Sequence, residues 1–189
     1  QHELQQQAIL LQQLVAAHAD EADIQQLTAA MRKAVIAAMP AIALPQQAPD
    51  RTRGQALYQQ NCAACHGDSG HGDGPAGAAL DPAPTDFHDT ERYNARSLFG
   101  LFNTISLGVA DTGMVAFSHL DEQSRWDLAF YVGALASKAQ IGASEAKPAK
   151  AVPSVLVSKT AIGHLLTATP HDVAQQYTEH GGALMALFR

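Results

Sequence analysis

Residues 61–67 read Asn61-Cys62-Ala63-Ala64-Cys65-His66-Gly67. Two thiols separated by two residues and followed at once by an imidazole form the Cys-x-x-Cys-His haem-attachment pattern. The spacing has a mechanical reason. Thiols one helical turn apart reach the two vinyl groups on one edge of a porphyrin, while the adjacent ring turns toward the iron. Cys62 and Cys65 are therefore read as thioether donors to one covalently bound haem c, and His66 as the proximal iron ligand. A structural zinc site would need four ligands, and the chain has only these two cysteines. A thioredoxin-like redox pair needs a strand before it, and none is expected here.

Outward from the motif the pattern is helical. Asp50 is placed to cap a helix from about Arg51 into the motif, with Gly54 and Tyr58 one turn apart on one face. Downstream, Asp121 is placed to cap another helix through Trp126, Leu128, Tyr131 and Leu135. A middle helix is expected from about Ala95 to Leu107, with Leu98, Leu101, Phe102 and Ile105 at helical spacing. The glycine-dense stretch Gly67 to Pro75 has no Gly-Lys-Ser/Thr and so no phosphate-binding signature. Its glycines suit close passage of the backbone. Pro82 and Pro84 keep Leu80 to Phe87 out of a helix and predict an extended wrap.

This run, roughly residues 50–138, resembles the small His/Met cytochromes c. The resemblance implies a tight crossing of the first and last helices, with Gly54, Tyr58, Leu128 and Tyr131 at the crossing. It also implies a thioether on the far face of the iron. Met114, in Thr112-Gly113-Met114-Val115-Ala116-Phe117, is the candidate, with Val115 where the family usually has Pro and His119 as the alternative ligand. Met31, Met39 and Met185 fall in the flanks. In similar proteins a Pro carbonyl accepts the proximal imidazole's hydrogen bond, and Pro75 is the candidate for that role. His71 and His88 are read as solvated loop residues rather than ligands.

Two flanks exceed what such a domain needs. Residues 1–45 are Gln- and Ala-rich and read as a helical hairpin joined near Asp20. Its apolar stripe runs through Leu4, Leu11, Leu14, Val15 and His18, then Ile24, Leu27, Met31, Val35 and Met39. His2, Glu3, His18, Asp20, Glu21 and Asp23 form no compact ligand motif there and read as caps or a solvated face. Residues 139–153 read as a linker and 154–189 as a carboxy-terminal helical extension. Within the extension Thr169-Pro170-His171-Asp172 reads as a helix start. The expected class is thus all-α: a mono-haem cytochrome c domain between an amino-terminal α-helical hairpin and a helical tail.

With both flanks, the chain resembles the exported part of cytochrome c/iron permease fusion proteins, in which iron uptake is coupled to oxidation of ferrous ion. That resemblance implies an electron-transfer role rather than an enzyme, a redox partner protein, ferrous iron, and a permease region beyond Arg189. It also implies a periplasmic, membrane-tethered setting. A free shuttle serving a respiratory oxidase or reductase is the alternative, and a peroxidase-like enzyme would need Met114 not to ligate. The start at Gln1 fits removal of a signal peptide or a trimmed chain. The 189 residues carry a formal charge of −6 and no basic stripe, which argues against a nucleic-acid partner.

Overall fold

The computed structural model describes residues 2–38, 44–140 and 166–172, and every regular element among them is helical. The chain divides into two units, Gln1–Leu44 and Pro45–Arg189.

The first unit is a helical hairpin of α1 (His2–Ala16) and α2 (Glu21–Ala38). His18 turns the chain at φ 51°. The Ala19 N–H donates to the Leu14 carbonyl (2.9 Å), and the Asp20 carboxylate accepts from the Ala22 N–H (3.0 Å). Leu4, Leu11 and Leu14 of α1 and Ile24, Leu27, Met31 and Val35 of α2 are all half-buried, as facing stripes of a two-helix unit should be. Val15 departs from the expectation. It is 54% exposed, because the residue after Leu14 on an α-helix is rotated by about 100° out of that stripe.

In the second unit α3 (Arg51–Asn61) starts at Asp50, whose carboxylate accepts from the Thr52 and Arg53 N–H groups at 2.8 and 3.0 Å. It runs almost directly into a single turn, α4 (Ala63–His66). Two caps set the middle of the domain. Asp89 accepts from the Arg92 N–H (3.1 Å) and opens α5 (Thr90–Asn94), an element absent from the sequence expectation. Ser97 accepts from the Gly100 N–H (3.0 Å) and opens α6 (Leu98–Leu107), so that helix begins after the expected Ala95. Asp121 accepts from the Ser124 N–H (2.7 Å) at the start of α7 (Glu122–Gln140).

The core is where α3 meets α7, with α6 laid against a second face of α7. A side chain at Gly54 would come within 2.4 Å of the Asp127 carbonyl oxygen and 3.0 Å of the Tyr131 Cβ, so the two backbones touch there. Asp127 lies beneath this contact with no exposed surface. Burying a carboxylate is costly unless its oxygens are paired. Here they accept from the Asp50 N–H (2.9 Å), the Arg53 guanidinium and the Gln123 amide (3.2 Å). One buried acid thereby ties the cap of α3 to α7. Leu98, Leu101 and Ile105 bury the inner face of α6, and Phe102 stacks on the buried Trp126 at 4.3 Å.

In the carboxy-terminal flank, Leu166–Asp172 carries the expected start signal. Thr169 N–H and Oγ1–H both donate to the Asp172 carboxylate (2.9 and 2.8 Å), and the Asp172 N–H donates back to Thr169 Oγ1 (3.1 Å). α7 runs two residues into the expected 139–153 linker; the rest of the linker and most of the helical extension on either side of this turn lie outside the described residues, as do Met39 and Met185.

Gly54→Ala should lower stability by about 1–3 kcal/mol, the range for overpacking a tight contact. Thermal unfolding of the haem-loaded chain, with the parent measured beside it, reads the effect.

Candidate haem-attachment site

The three motif residues arrive together because α3 and α4 are nearly continuous. Cys62 closes α3 through its N–H to the Tyr58 carbonyl (2.8 Å), and its own carbonyl accepts from the Cys65 and His66 N–H groups (3.1 and 2.9 Å). The two thiols therefore sit on one turn, half-buried and not joined as a disulfide. Burial pushes the Cys62 thiol up to about 12, with the neighbouring Cys65 a lesser cause, so it is held as the neutral thiol. Two free thiols and an imidazole on one helical turn are the donor set that covalent haem attachment requires.

After His66 the chain must reverse. Gly67 takes φ 77°, a conformation in which an ordinary side chain would strike the Asp73 carboxylate. The Gly67 carbonyl accepts from the Tyr58 hydroxyl (2.7 Å), a buried bond from α3 to the end of the motif. Burial pushes Tyr58 above the usual tyrosine range and keeps that hydroxyl protonated as a donor. The glycine loop then lies on the motif's own backbone. Gly72 N–H donates to the His66 carbonyl (2.9 Å) and Gly74 N–H to the Cys65 carbonyl (3.1 Å).

The His66 ring is fixed on two sides. Phe87 stacks on it at 4.6 Å and 18°, and Phe87 is itself packed edge-on against Tyr93 (5.7 Å) and Tyr58 (6.3 Å). Nδ1 lies 3.2 Å from the Thr85 carbonyl, which only accepts, so Nδ1 carries the proton and the Nε2 lone pair is left for a metal. Burial pulls the imidazole below its usual value, while the Thr85 bond opposes that shift. The ring is thus biased toward the neutral, ligating form. Pro75 was expected to supply this carbonyl. Instead it opens the short 3-10 turn Pro75–Gly77 and is exposed, and the extended wrap through Pro82 and Pro84 carries Thr85 to the ring. The wrap itself was legible from its prolines, but its threonine carries no residue-type signal for the role.

Met114 lies in the loop between α6 and α7, half-buried, with its backbone bonded on both sides. Its N–H donates to Thr112 Oγ1 (3.1 Å), and its carbonyl accepts from the Val109 N–H (2.9 Å). Phe117 N–H donates to the Ile105 carbonyl (2.9 Å) and returns the loop to α6. The position usually held by Pro, Val115, is 63% exposed and ends up between these two anchors, so backbone bonds restrain the loop in its place. His119, the alternative donor, is exposed and tilted against Phe117 at 5.8 Å. His71 and His88, read as solvated loop residues, stack on each other at 4.1 Å, with His71 exposed and His88 half-buried.

Residues 52–136 match the family model for cytochrome c. No curated protein matches the sequence. Among solved structures, a chain of the reducing HAO-like protein complex from Kuenenia stuttgartiensis is similar at 15% identity and a TM-score of 0.42, over 77% of this chain and 96% of that one. A likeness that loose carries no shared activity. The family match and the motif agree: residues 52–136 are a cytochrome c domain, and its cofactor is one haem c bound through the Cys62-x-x-Cys65-His66 motif.

Tyr58→Phe keeps the ring and removes only its bond to the Gly67 carbonyl. It should lower stability by about 0.5–1.5 kcal/mol while the denatured chain still carries haem. Chemical denaturation read by haem absorbance gives the first quantity, and haem staining of a denaturing gel gives the second.

Proposed function

We propose that the domain is a periplasmic one-electron carrier with His66 and Met114 as axial iron ligands, serving ferrous-iron oxidation coupled to uptake by an associated permease. Electron transfer itself follows from the cytochrome c domain. Bound at this site, haem c supplies a ferric/ferrous couple.

The protein's part is to hold that couple and set its potential. Cys62 and Cys65 anchor it through thioethers on one turn. Thr85 holds the Nδ1 proton and fixes the tautomer, making His66 a more basic ligand. Phe87 limits rotation of the ring and keeps water from that side. Met114 contributes a soft thioether, which favours the reduced state relative to a second imidazole.

The observation that carries the six-coordinate reading is the double anchoring of the Met114 loop to its own turn and to α6. These bonds restrain the backbone of the loop that would carry the sixth donor. An open-site, peroxidase-like enzyme would need the donor to leave.

The iron-uptake part rests on the resemblance of Gly54 to Leu135, with its two flanks, to the exported part of cytochrome c/iron permease fusions. Ferrous iron is then the ultimate electron source, a redox partner protein the acceptor, and the permease a membrane region encoded beyond Arg189. None of the described helices is long and apolar enough to cross a membrane. Gene sequence past Arg189 separates the readings: membrane-spanning segments there support the permease association, whereas a stop codon leaves a free shuttle.

Met114→Ala should abolish the long-wavelength sulfur-to-iron absorption band, let carbon monoxide bind the ferrous protein readily, and lower the reduction potential by more than about 59 mV, a tenfold change in the one-electron equilibrium. If the parent protein shows no such band, the assignment passes to an open iron where carbon monoxide binds readily and to a His119-ligated iron where it does not.

A further inference from the structure

Outside the motif, one set of side chains converges in a way the carrier role does not use. His71 leaves the glycine loop, and Asp86 and His88 leave the wrap on either side of Phe87. One ligand atom from each lies within 4.8 Å of the other two. We propose that His71, Asp86 and His88 form a binding site for a divalent first-row transition-metal ion.

The backbone brings these segments together independently of the three side chains. Phe87 N–H donates to the Gly70 carbonyl (2.7 Å), joining the loop and the wrap between His71 and Asp86. Gly72, at φ 74°, passes so close to the wrap that a side chain there would lie 2.4 Å from the Pro84 carbonyl oxygen. The His71 backbone is thus held by a neighbour on each side, while its ring remains exposed.

Hydrogen bonds fix the tautomer of one donor and the orientation of another. His88 Nε2 lies 2.9 Å from the Ser69 carbonyl, an acceptor, so it carries the proton and Nδ1 keeps its lone pair. A ligating histidine commonly has its second nitrogen tied to a carbonyl in this way. The Asp86 carboxylate is oriented by the His88 N–H (2.8 Å) and lies 3.4 Å from His71 Nδ1. With the two rings 4.1 Å apart and inclined by 23°, both imidazoles border the same carboxylate. Ligand atoms around an ion bonded at about 2.0–2.2 Å stand about 3–4 Å from one another, and because an imidazole lone pair lies in the ring plane, the exposed His71 ring turns out of its stack on His88 to complete the set.

Two imidazoles and one carboxylate suit iron(II), cobalt, nickel, copper or zinc rather than calcium or magnesium, which prefer oxygen donors. Three protein ligands leave further positions for water or a small anion. The site adjoins Phe87, which is stacked on His66, so a bound ion would sit beside the proximal side of the haem attachment. The inference does not depend on the iron-uptake reading, because zinc alone tests it.

Calorimetric titration of the haem-loaded chain with zinc should show saturable one-to-one binding. That binding should weaken by about 10–100-fold in His71→Ala and in His88→Ala, weaken also in Asp86→Asn, and persist in His18→Ala. Unchanged haem absorbance and helical circular dichroism in each variant confirm that folding is intact. Absence of saturable binding in the parent, or indistinguishable curves for the parent and a folded His71→Ala/His88→Ala double variant, would overturn the proposal.

Discussion

Everything around the motif depends on one close contact, the passage of α3 over α7 at Gly54. A backbone-to-backbone approach there leaves no room for a side chain, and the buried Asp127 beneath it links the cap of α3, Arg53 and Gln123. One turn further along α3, Tyr58 is wholly buried, lies 5.2 Å from Tyr131 of α7, and donates to the carbonyl of Gly67. The crossing therefore determines where α3 ends, and the end of α3 determines where the two thiols and the imidazole sit. Stability and chemistry share the same few residues.

That arrangement explains how an ordinary imidazole would be prepared to ligate a metal. A histidine in water samples both tautomers and takes up a proton near neutrality. At His66 the Thr85 carbonyl chooses the tautomer, Phe87 restricts the ring, and burial disfavours the charged form. These effects act on the same ring and all leave the same nitrogen available, which is how a fold prepares a ligand before the metal is bound.

Much of this was legible in the sequence, because the relevant signals are local. The Cys62–His66 spacing, the caps at Asp50, Asp121 and Thr169, and the apolar spacing of α6 and α7 each depend on residues within a turn or two. What escaped depends on distant segments meeting. Thr85 contributes a carbonyl that every residue type has, so only the course of the wrap could single it out over Pro75. Asp127 carries no sequence signal that sets it apart from an exposed acid, and only Asp50 and Arg53 around it give it its role. α5 is five residues long, too short for a periodic pattern, and its Asp89 cap reads equally well as a turn. His71 and His88 lie in separate segments, which become neighbours through long-range contacts such as the Gly70–Phe87 bond.

The central claim is that Cys62 and Cys65 exist to carry one covalent haem. The intact mass of the chain, isolated from cells able to assemble c-type cytochromes and fully denatured before analysis, tests it most directly. The account predicts a single species heavier than the polypeptide by one haem. A bare polypeptide mass, or one lighter by the two hydrogens of a Cys62–Cys65 disulfide, would contradict it.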